Sequence, residues 1–529
     1  MCANMHTSLT ESEVSVENLE HQASILFGEK EYIKALEIYL ILFKNEPENE
    51  SYAISCGNCY DALEDKPKAV DYYEQALKIN RNSESALLNL STIWYEQNDY
   101  EKSAEYAHKV LALNPQSVAA LQNLANIAFC SNDYEKALEY YQKMYESNPR
   151  SYIAMINLAN TYYCLGKYVL ALEFARKSAE RHPSSVTAHV LAGNSLNAMG
   201  KYAKAVNMYL RALELDDTNI ELLSLISEAY HSLSDWENCV LFAWRFIKNL
   251  PEKSNAMHLN FGYLLYECYS EQSKELAQKF AEKWMKYFPD NVIVQHMGNA
   301  LTNGKALQGS DSLFIKETFN AFAPDFDKTL ADLEYKAPQL IQNALKQHLK
   351  TSLFNKHHIL DLGCGTGLCG EKIKKFAAFK GLVGVDLSDK MLEIAEKKKI
   401  YAQLECDDIC HYMENSTYLF NVVVASDVLT YFGDLTKVFV RVSRSLLPNG
   451  LFVFTFSENE FNKEDYFLSP SGRFVHSLIY VEKVLKSAGL RLISTERQIL
   501  RNEAERPVYG YVTVARKPDL SPKPLTKQN

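Results

Sequence analysis

An all-helical repeat array followed by an α/β domain with a parallel sheet is the fold class this sequence predicts. Two observations carry that prediction. Residues of one kind return every 34 positions through the first half of the 529-residue chain. In the second half, the apolar run His357-His358-Ile359-Leu360-Asp361-Leu362 enters the loop Gly363-Cys364-Gly365-Thr366-Gly367. A helical pattern follows over Leu368 to Phe379, and a second apolar run, Gly381 to Val385, ends in Asp386. Strand, glycine loop, helix, strand and acid make half of a nucleotide-binding α/β fold.

The repeat comes first in the chain. Steps of 34 from Pro47 land on Arg81, Pro115, Pro149, Pro183, Asp217 and Pro251. From Ala35 they land on Ala69, Ser103, Ala137, Ala171, Ala205 and Cys239, all small. From Ala23 come Gly57, Ser91, Ala125, Ala159, Gly193 and Ser227, again small, and from Tyr32 come Lys66, Tyr100, Tyr134, Tyr168, Tyr202 and Trp236. Small positions let two helices of one unit approach, aromatics fill the gaps, and proline stops the second helix. This length and spacing resemble the tetratricopeptide repeat (TPR). Seven units fit residues 16–253, and an eighth with a four-residue insertion ends near Pro289. Such units stack into a solenoid with a concave groove.

Two registers of asparagine run through the array. Asn89, Asn123 and Asn157 share one position, and Asn58, Asn126, Asn160 and Asn194 share another three residues further on. Positions three apart lie on one helical face. An amide donates and accepts at once, which suits an extended peptide backbone, so this face is the candidate partner-binding surface for a protein or peptide in the groove. The pattern resembles the asparagine ladder in the solenoid of O-linked N-acetylglucosamine transferase. Bracing of neighbouring turns is the competing reading.

Composition excludes several classes. Charged residues at 23% and a formal net charge of −10 are those of an ordinary globular protein and argue against non-specific nucleic-acid binding. Met1 to Ser15 carry neither a basic stretch nor an apolar core, so no signal peptide is expected, and no apolar run is long enough to span a bilayer. Cys56-Gly57-Asn58-Cys59 is the only CxxC and has no second pair near it, so no metal site is expected. Reduced thiols in a cytoplasmic protein are the expectation.

The glycine loop alone is a weak discriminator, because Gly365-Thr366-Gly367-Leu368-Cys369-Gly370 also fits a dinucleotide site. Its surroundings decide. Asp361 before the glycines gives Asp-x-Gly-x-Gly-x-Gly, which resembles motif I of class I S-adenosylmethionine (SAM) methyltransferases. Cys406-Asp407-Asp408-Ile409 follows a short strand, Phe420 to Leu429 forms a fourth strand and its exit, and Leu446-Leu447-Pro448-Asn449-Gly450 turns into the strand Leu451–Ser457. Two late strands, Leu490–Leu500 and Val508–Arg516, form the antiparallel hairpin that a plain dinucleotide fold lacks.

The region from Phe319 to Lys517 also resembles the TPR-containing methyltransferases of bacteria. The matching blocks include Phe319-x-x-Phe322-x-x-x-Phe326-Asp327, Ser426-Asp427-Val428-Leu429-x-Tyr431, Ser471-Gly472-Arg473-Phe474-x-His476 and Leu500-Arg501-x-Glu503. Asn449 departs from the family where a second glycine is usual, and Cys364 is an uncommon filler in motif I. The resemblance implies a multidomain chain: an all-α TPR solenoid followed by an α/β, Rossmann-like class I methyltransferase domain.

The same resemblance assigns roles. SAM is the implied cofactor, with Gly363, Gly365 and Gly367 cradling its methionyl part through their amides. Asp361 orients that loop or reaches the methionyl ammonium. Asp386 holds the ribose, and Asp408 with Ile409 the adenine, Asp407 being the alternative if the register slips. Asp427, Tyr431, Arg473 and His476 are the catalytic candidates on the acceptor side, beside Tyr480. Arg473 suits a carboxylate or phosphate, and His476 a proton. No Asn/Asp-Pro-Pro-aromatic sequence and no Pro-Cys follow the fourth strand, which marks down base-amino, glutamine-amide and cytosine C5 methylation. A protein side chain, a carboxylate, or a small hydroxyl or amine compound remain as acceptors.

The expected organisation is a disordered stretch over 1–15, the solenoid over 16–290 and a capping helix with linker over 291–309. Lid helices over 310–349, the methyltransferase core over 350–517 and a disordered tail over 518–529 complete it. The expected activity is methyl transfer with the solenoid recruiting a protein partner or substrate. A small-molecule methyltransferase that uses the repeats for assembly, and an adaptor with a non-catalytic SAM domain, are the alternatives.

Overall fold

The computed structural model describes residues 16–250, 254–271, 273–304, 311–349, 356–460, 464–503 and 506–519. The expectations for residues 1–15, 305–310 and 520–529 lie outside them. The chain divides into two compact units, residues 1–233 and 234–529. The sequence reading placed its boundary at 290; the division falls 57 residues earlier, at 233.

Among the described residues the first unit holds thirteen helices, from Val16–Gly28 to Ile220–Ser232. First helices of 13 residues alternate with second helices of 14. Side-chain caps recur with the period. Asp65, Asp99 and Asp133 accept the amide three residues on and start second helices. Ser83, Ser151, Ser185 and Asn219 do the same for first helices.

Another register went unread in the sequence. Lys30, Glu64, Asn98, Asn132, Gly166 and Gly200 stand 34 apart and all have positive φ, between 59° and 70°. Each ends its first helix in the left-handed conformation that turns the chain into the second. Only two of the six are glycine, so the sequence hid the position.

The small residues face what the period predicts. A Cβ on Gly57 would lie 2.5 Å from the Tyr73 ring, and one on Gly193 would lie 2.4 Å from Tyr209. Cys56 and Cys59 sit in that core at 0% exposure. Burial pushes their thiols up to about 12 and about 11, so they remain protonated packing groups.

The second unit opens with the helices Trp236–Asn249, Asn255–Ser270, Lys274–Tyr287 and Val292–Thr302. Asn255–Ser270 has 16 residues where the earlier first helices have 13, which absorbs most of the four-residue insertion. Then come Asp311–Phe322, a short 3-10 turn, Phe326–Asp332 and Ala337–His348. The segment expected as one lid divides here. Ile341 and Leu345 of Ala337–His348 are fully buried against sheet residues such as Ile359 and Val422, so that helix is core.

The strands are β1 (His357–Leu362), β2 (Ala377–Asp386), β3 (Gln403–Cys406), β4 (Phe420–Ala425), β5 (Leu446–Ser457), β6 (Tyr466–Leu468), β7 (Phe474–His476), β8 (Arg491–Glu503) and β9 (Arg506–Arg516). The main sheet runs β3-β2-β1-β4-β5-β9-β8, and β6 pairs with β7 apart from it. β1 pairs in parallel with both β2 and β4, and β5 pairs antiparallel with β9. The late hairpin is therefore present, with β9 inserted between β5 and β8. The order reverses at β1, and ligands in such sheets bind beyond the carboxyl ends of the strands at that point.

Two local readings shift. The helix expected to reach Phe379 ends at Ile373, and β2 begins at Ala377 by pairing with His357. Asn449 has a φ of +64°, a left-handed conformation that asparagine tolerates, which explains how it stands in for glycine. No described helix is long and apolar enough to cross a membrane.

Candidate functional site

The site grows from the carboxyl end of β1. Gly363 and Gly365 have φ of +61° and +54°, where L side chains are strained. A Cβ on Gly363 would lie 2.4 Å from Val428, whereas one on Gly365 would meet nothing nearer than Phe326 at 3.8 Å. Gly365 therefore leaves open space above its backbone. Gly367 is different: its Cβ would meet Tyr401 and Ile400, away from that space.

The amides of this loop are largely spent inside the protein. The Gly365 amide donates to Asp386 Oδ2 at 2.8 Å, and the Gly367 amide to the Cys364 carbonyl at 2.9 Å. Gly365 and Gly367 thus spend on the protein the amides expected to cradle the ligand, and what Gly365 offers the cavity is the open space at its Cα. The second Asp386 oxygen accepts the Ser388 amide at 2.9 Å. Burial raises the Asp386 carboxyl, and these backbone donors pull the other way.

A cavity of about 450 Å³ lies over this loop, within the range of sites for small molecules. One end holds Gly363, Gly365, Asp386, Asp407, Asp408 and Ile409. Asp408 Oδ1 accepts the Cys410 and His411 amides and so caps the helix Ile409–Asn415. Asp407 Oδ2 lies 2.7 Å from His411 Nδ1. The other end holds Ser426, Asp427, Tyr431, Ser471, Arg473 and Glu503.

Phe319, Phe322 and Phe326 from the helices before β1, and Tyr335 from the loop ahead of the helix Ala337–His348, also line the cavity. The Tyr335 hydroxyl is 3.2 Å from Ser426 Oγ, and the Phe319 ring lies 5.3 Å from that of Tyr431. Tyr263, Tyr266 and Glu267 of the lengthened helix Asn255–Ser270 also line the cavity. Their spacing of three and one places them on one helical face. Nothing in the sequence marks this wall beyond the insertion itself.

The acceptor end rests on a buried ionic chain. Arg501, 2% exposed, donates through Nη1 to both Asp427 oxygens at 2.9 and 2.7 Å and through Nε to Glu503 at 2.6 Å. Arg473 also pairs with Glu503. Burial works against the Glu503 carboxylate, yet the two guanidiniums hold it down to about 2. Arg501 and Glu503 belong to the Leu500-Arg501-x-Glu503 block, and two opposite charges two positions apart in a late strand are the signal that marks them.

Besides Gly367, three sequence candidates lie off the cavity. Asp361 is fully buried under the loop, and its Oδ2 accepts the Tyr401 hydroxyl at 2.7 Å. Its Oδ1 has no hydrogen-bond partner among the described residues. Burial raises this carboxyl to about 7, against the Tyr401 hydrogen bond. His476 is fully buried, donates through Nε2 to the Gly433 carbonyl at 3.0 Å, and is pushed by burial down to about 4. It is a packing histidine. Tyr480 donates to Asp434 at 2.8 Å and receives the Leu435 amide at 2.9 Å, which makes it a brace for that turn.

The asparagine registers, in the first unit, divide as well. Asn58, Asn126 and Asn194 each accept the hydroxyl of a tyrosine fifteen residues on, from Tyr73, Tyr141 and Tyr209, at 2.8, 2.6 and 2.8 Å. Asn89 donates to Asn58 at 2.9 Å, and Asn123 donates to Ser91 at 3.0 Å. Asn157 and Asn160 make no side-chain hydrogen bond among the described residues, and Ala175 stands where a tyrosine would brace Asn160. Most of the ladder is therefore bonded within the array.

Comparison with known proteins agrees with this architecture. Residues 360–454 match the family model of a methyltransferase domain. Residues 57–118 and 88–152 match the tetratricopeptide repeat, and residues 130–212 match subunit 3 of the anaphase-promoting complex, cyclosome. The chain is 27% identical over 146 residues to demethylmenaquinone methyltransferase of Leptospira interrogans, covering 26% of this chain and 59% of that protein. It is 29% identical over 153 residues to malonyl-[acyl-carrier protein] O-methyltransferase of Priestia megaterium, covering 28% and 53%. The solved magnesium protoporphyrin IX methyltransferase of Synechocystis PCC 6803 is 14% identical, with a TM-score of 0.31 and coverage of 39% and 99%. The chain thus spans 59% and 53% of the length of these two curated relatives. It joins tetratricopeptide repeats to a class I methyltransferase domain.

Proposed function

We propose that this tetratricopeptide-repeat methyltransferase takes its methyl group from SAM bound in the cavity beyond β1, β2 and β4, and that its repeats recruit a protein partner or substrate. The observation that carries the reading is the pairing of an open Gly365 with Asp386 at the end of β2, over a cavity at the switch point of the sheet. A Cβ on Gly365 would enter the space a ligand needs, and an ionised carboxylate has about four acceptor sites, of which backbone amides take two here. The residues therefore fit the cofactor.

Asp386 is assigned to the ribose, Asp407 and Asp408 with Ile409 to the adenine, and Gly363 and Gly365 to the methionyl part. SAM supplies an electrophilic methyl on a sulfonium. The chain has to position it, exclude water and aim the acceptor lone pair. Phe319, Phe322 and Tyr335 roof the cavity, and Tyr263 with Tyr266 close its side. Asp427, Tyr431 and Arg473 stand where the acceptor enters.

A small acceptor, with the repeats used for assembly, is the second reading, and the aromatic enclosure of the cavity favours it. A cytoplasmic location fits both. Calorimetry with SAM and with its demethylated product S-adenosylhomocysteine (SAH) tests the cofactor: binding of both is expected, and NADH binding without SAM heat would overturn it. Labelled methyl-SAM with source-cell lysate separates the acceptor readings by whether protein or small molecules take the label.

A further inference from the structure

We infer that the methyl acceptor is a carboxylate, held by Arg473 at the aromatic end of the cavity and methylated to an ester. The inference rests on the SAM reading above and deepens it.

Arg473 lines the cavity with its side chain 20% exposed. A guanidinium has five N–H donors. Among the described residues Arg473 spends one hydrogen bond, on Glu503, and that carboxylate is shared with Arg501. Arg501 by contrast has Asp427 as well. Arg473 is therefore the less compensated of the two cations, with unspent donors on a side chain that lines the cavity. A planar fork of that kind matches a carboxylate.

Its position is fixed from behind. Gly472, at φ +78°, turns the chain just before it. The Gly472 carbonyl accepts His296 Nε2 at 2.9 Å, and the His296 ring stacks on Phe314 at 3.7 Å. A Cβ on Gly472 would lie 2.5 Å from Met297, so the turn is seated against the helix Val292–Thr302.

The protonation chemistry points the same way. An amine or hydroxyl acceptor has to lose a proton, and no histidine lines the cavity among the described residues. His476 is sealed away, and Asp427 and Glu503 are held by arginines. A carboxylate reaches the site already ionised. Its oxygen lone pair forms the new C–O bond as the C–S bond breaks, the pair returns to sulfur, and no proton moves. The sulfonium charge and the carboxylate charge cancel into two neutral groups. Tyr263, Tyr266, Phe319, Phe322 and Tyr431 leave room around that carboxylate for an apolar body.

The test uses the full chain saturated with SAH. Benzoate, benzamide and benzylamine are titrated in parallel by calorimetry. Benzoate is expected to bind at least about tenfold tighter than either neighbour, as a charge-assisted pair requires. Arg473→Gln should abolish that preference and leave SAH affinity within about threefold, while Arg473→Lys should restore part of it. Preference for benzylamine, with Glu267 then the recognising group, overturns the inference. So does loss of SAH affinity in Arg473→Gln, which would make Arg473 a cofactor ligand. Should that variant not fold, benzoate against benzamide on the unaltered protein still decides.

A second arm reads the product. Methyl label transferred in lysate should leave as methanol under mild alkali, and alkali-stable label overturns the ester. Alkali-labile label among small molecules, or on a protein or carrier, tells which source bears the carboxylate. Failure of the unaltered protein to bind SAH sinks the SAM reading itself, whereas SAH binding without benzoate preference sinks only this inference.

Discussion

The Gly365 amide donates to the Asp386 carboxylate at 2.8 Å, so the glycine loop and the acid of the next strand form one bonded unit. Asp386 holds the loop with one oxygen and starts the next helix, through the Ser388 amide, with the other. An acid read from the sequence as a ribose ligand is therefore also the clamp that shapes the site.

That double engagement yields the first prediction. Asp386→Ala should weaken SAM and SAH by roughly one to two orders of magnitude, since charge-assisted bonds are lost. Asp386→Asn should be nearly as damaging, because its NH₂ group must face the Gly365 or Ser388 amide, donor against donor. Calorimetry compares the two, and an Asn variant with unaltered affinity would show that the clamp is dispensable.

Asp361 gives a pH prediction. Burial holds it at about 7 in the folded protein against its ordinary value of 3.8. The folded state thus binds a proton that the unfolded state has released. The sign follows: its contribution to stability is full below pH 3.8 and is lost as pH rises through about 7. Asp361→Asn removes that loss and should gain on the parent protein by up to about 3–4 kcal/mol above pH 8, with no gain below pH 4. Paired thermal melts across that range test it; a pH-independent difference would mean the carboxyl titrates normally.

Much of this was legible in sequence. The 34-residue period fixed the helices because one geometry repeats, and the motif around Asp361 to Gly367 fixed where the cavity lies. What stayed hidden were relationships that carry no period. Asp427 with Arg501 joins residues 74 positions apart. Tyr263 and Tyr266 are ordinary repeat aromatics until the fold turns them to the cavity. His476 looked chemical because histidine is polar, yet nothing local told that it would be fully buried. Within the segment expected as a lid, Phe322 and Tyr335 line the cavity, whereas Ile341 and Leu345 of the following helix fill the core, a difference that shared apolar spacing hides.

The helices upstream of residue 310 support the cavity's wall. Phe314 and Phe322 pack with Phe261, Leu265, Trp284 and Met297, all upstream. Removing that support strips the apolar faces of the roof helices. A fragment of residues 310–529 should bind SAH at least about tenfold more weakly or aggregate, consistent with exposing a large apolar patch. A fragment of residues 234–529, the whole second unit, should keep the parent affinity. Equal SAH binding by both would show that the upstream helices do not matter to the cofactor.

The last prediction separates bracing asparagines from the remainder. Tyr141 is 4% exposed and places its hydroxyl 2.6 Å from Asn126 Oδ1. Asn126→Ala leaves that hydroxyl without its acceptor inside the array, which should cost about 1–3 kcal/mol. Asn160→Ala should stay within about 0.5 kcal/mol, because Ala175 stands where the bracing tyrosine would be and nothing is orphaned. Urea unfolding of the two variants gives the comparison. If both lose stability equally, the second register is structural throughout and Asn160 has no claim on a peptide. If Asn126→Ala is silent, the Tyr141 bond is easily replaced by water and the whole register remains a candidate binding face. The expected split leaves Asn157 and Asn160, three residues apart on one helix face, as the part of the ladder whose amides a partner can reach without breaking the repeat.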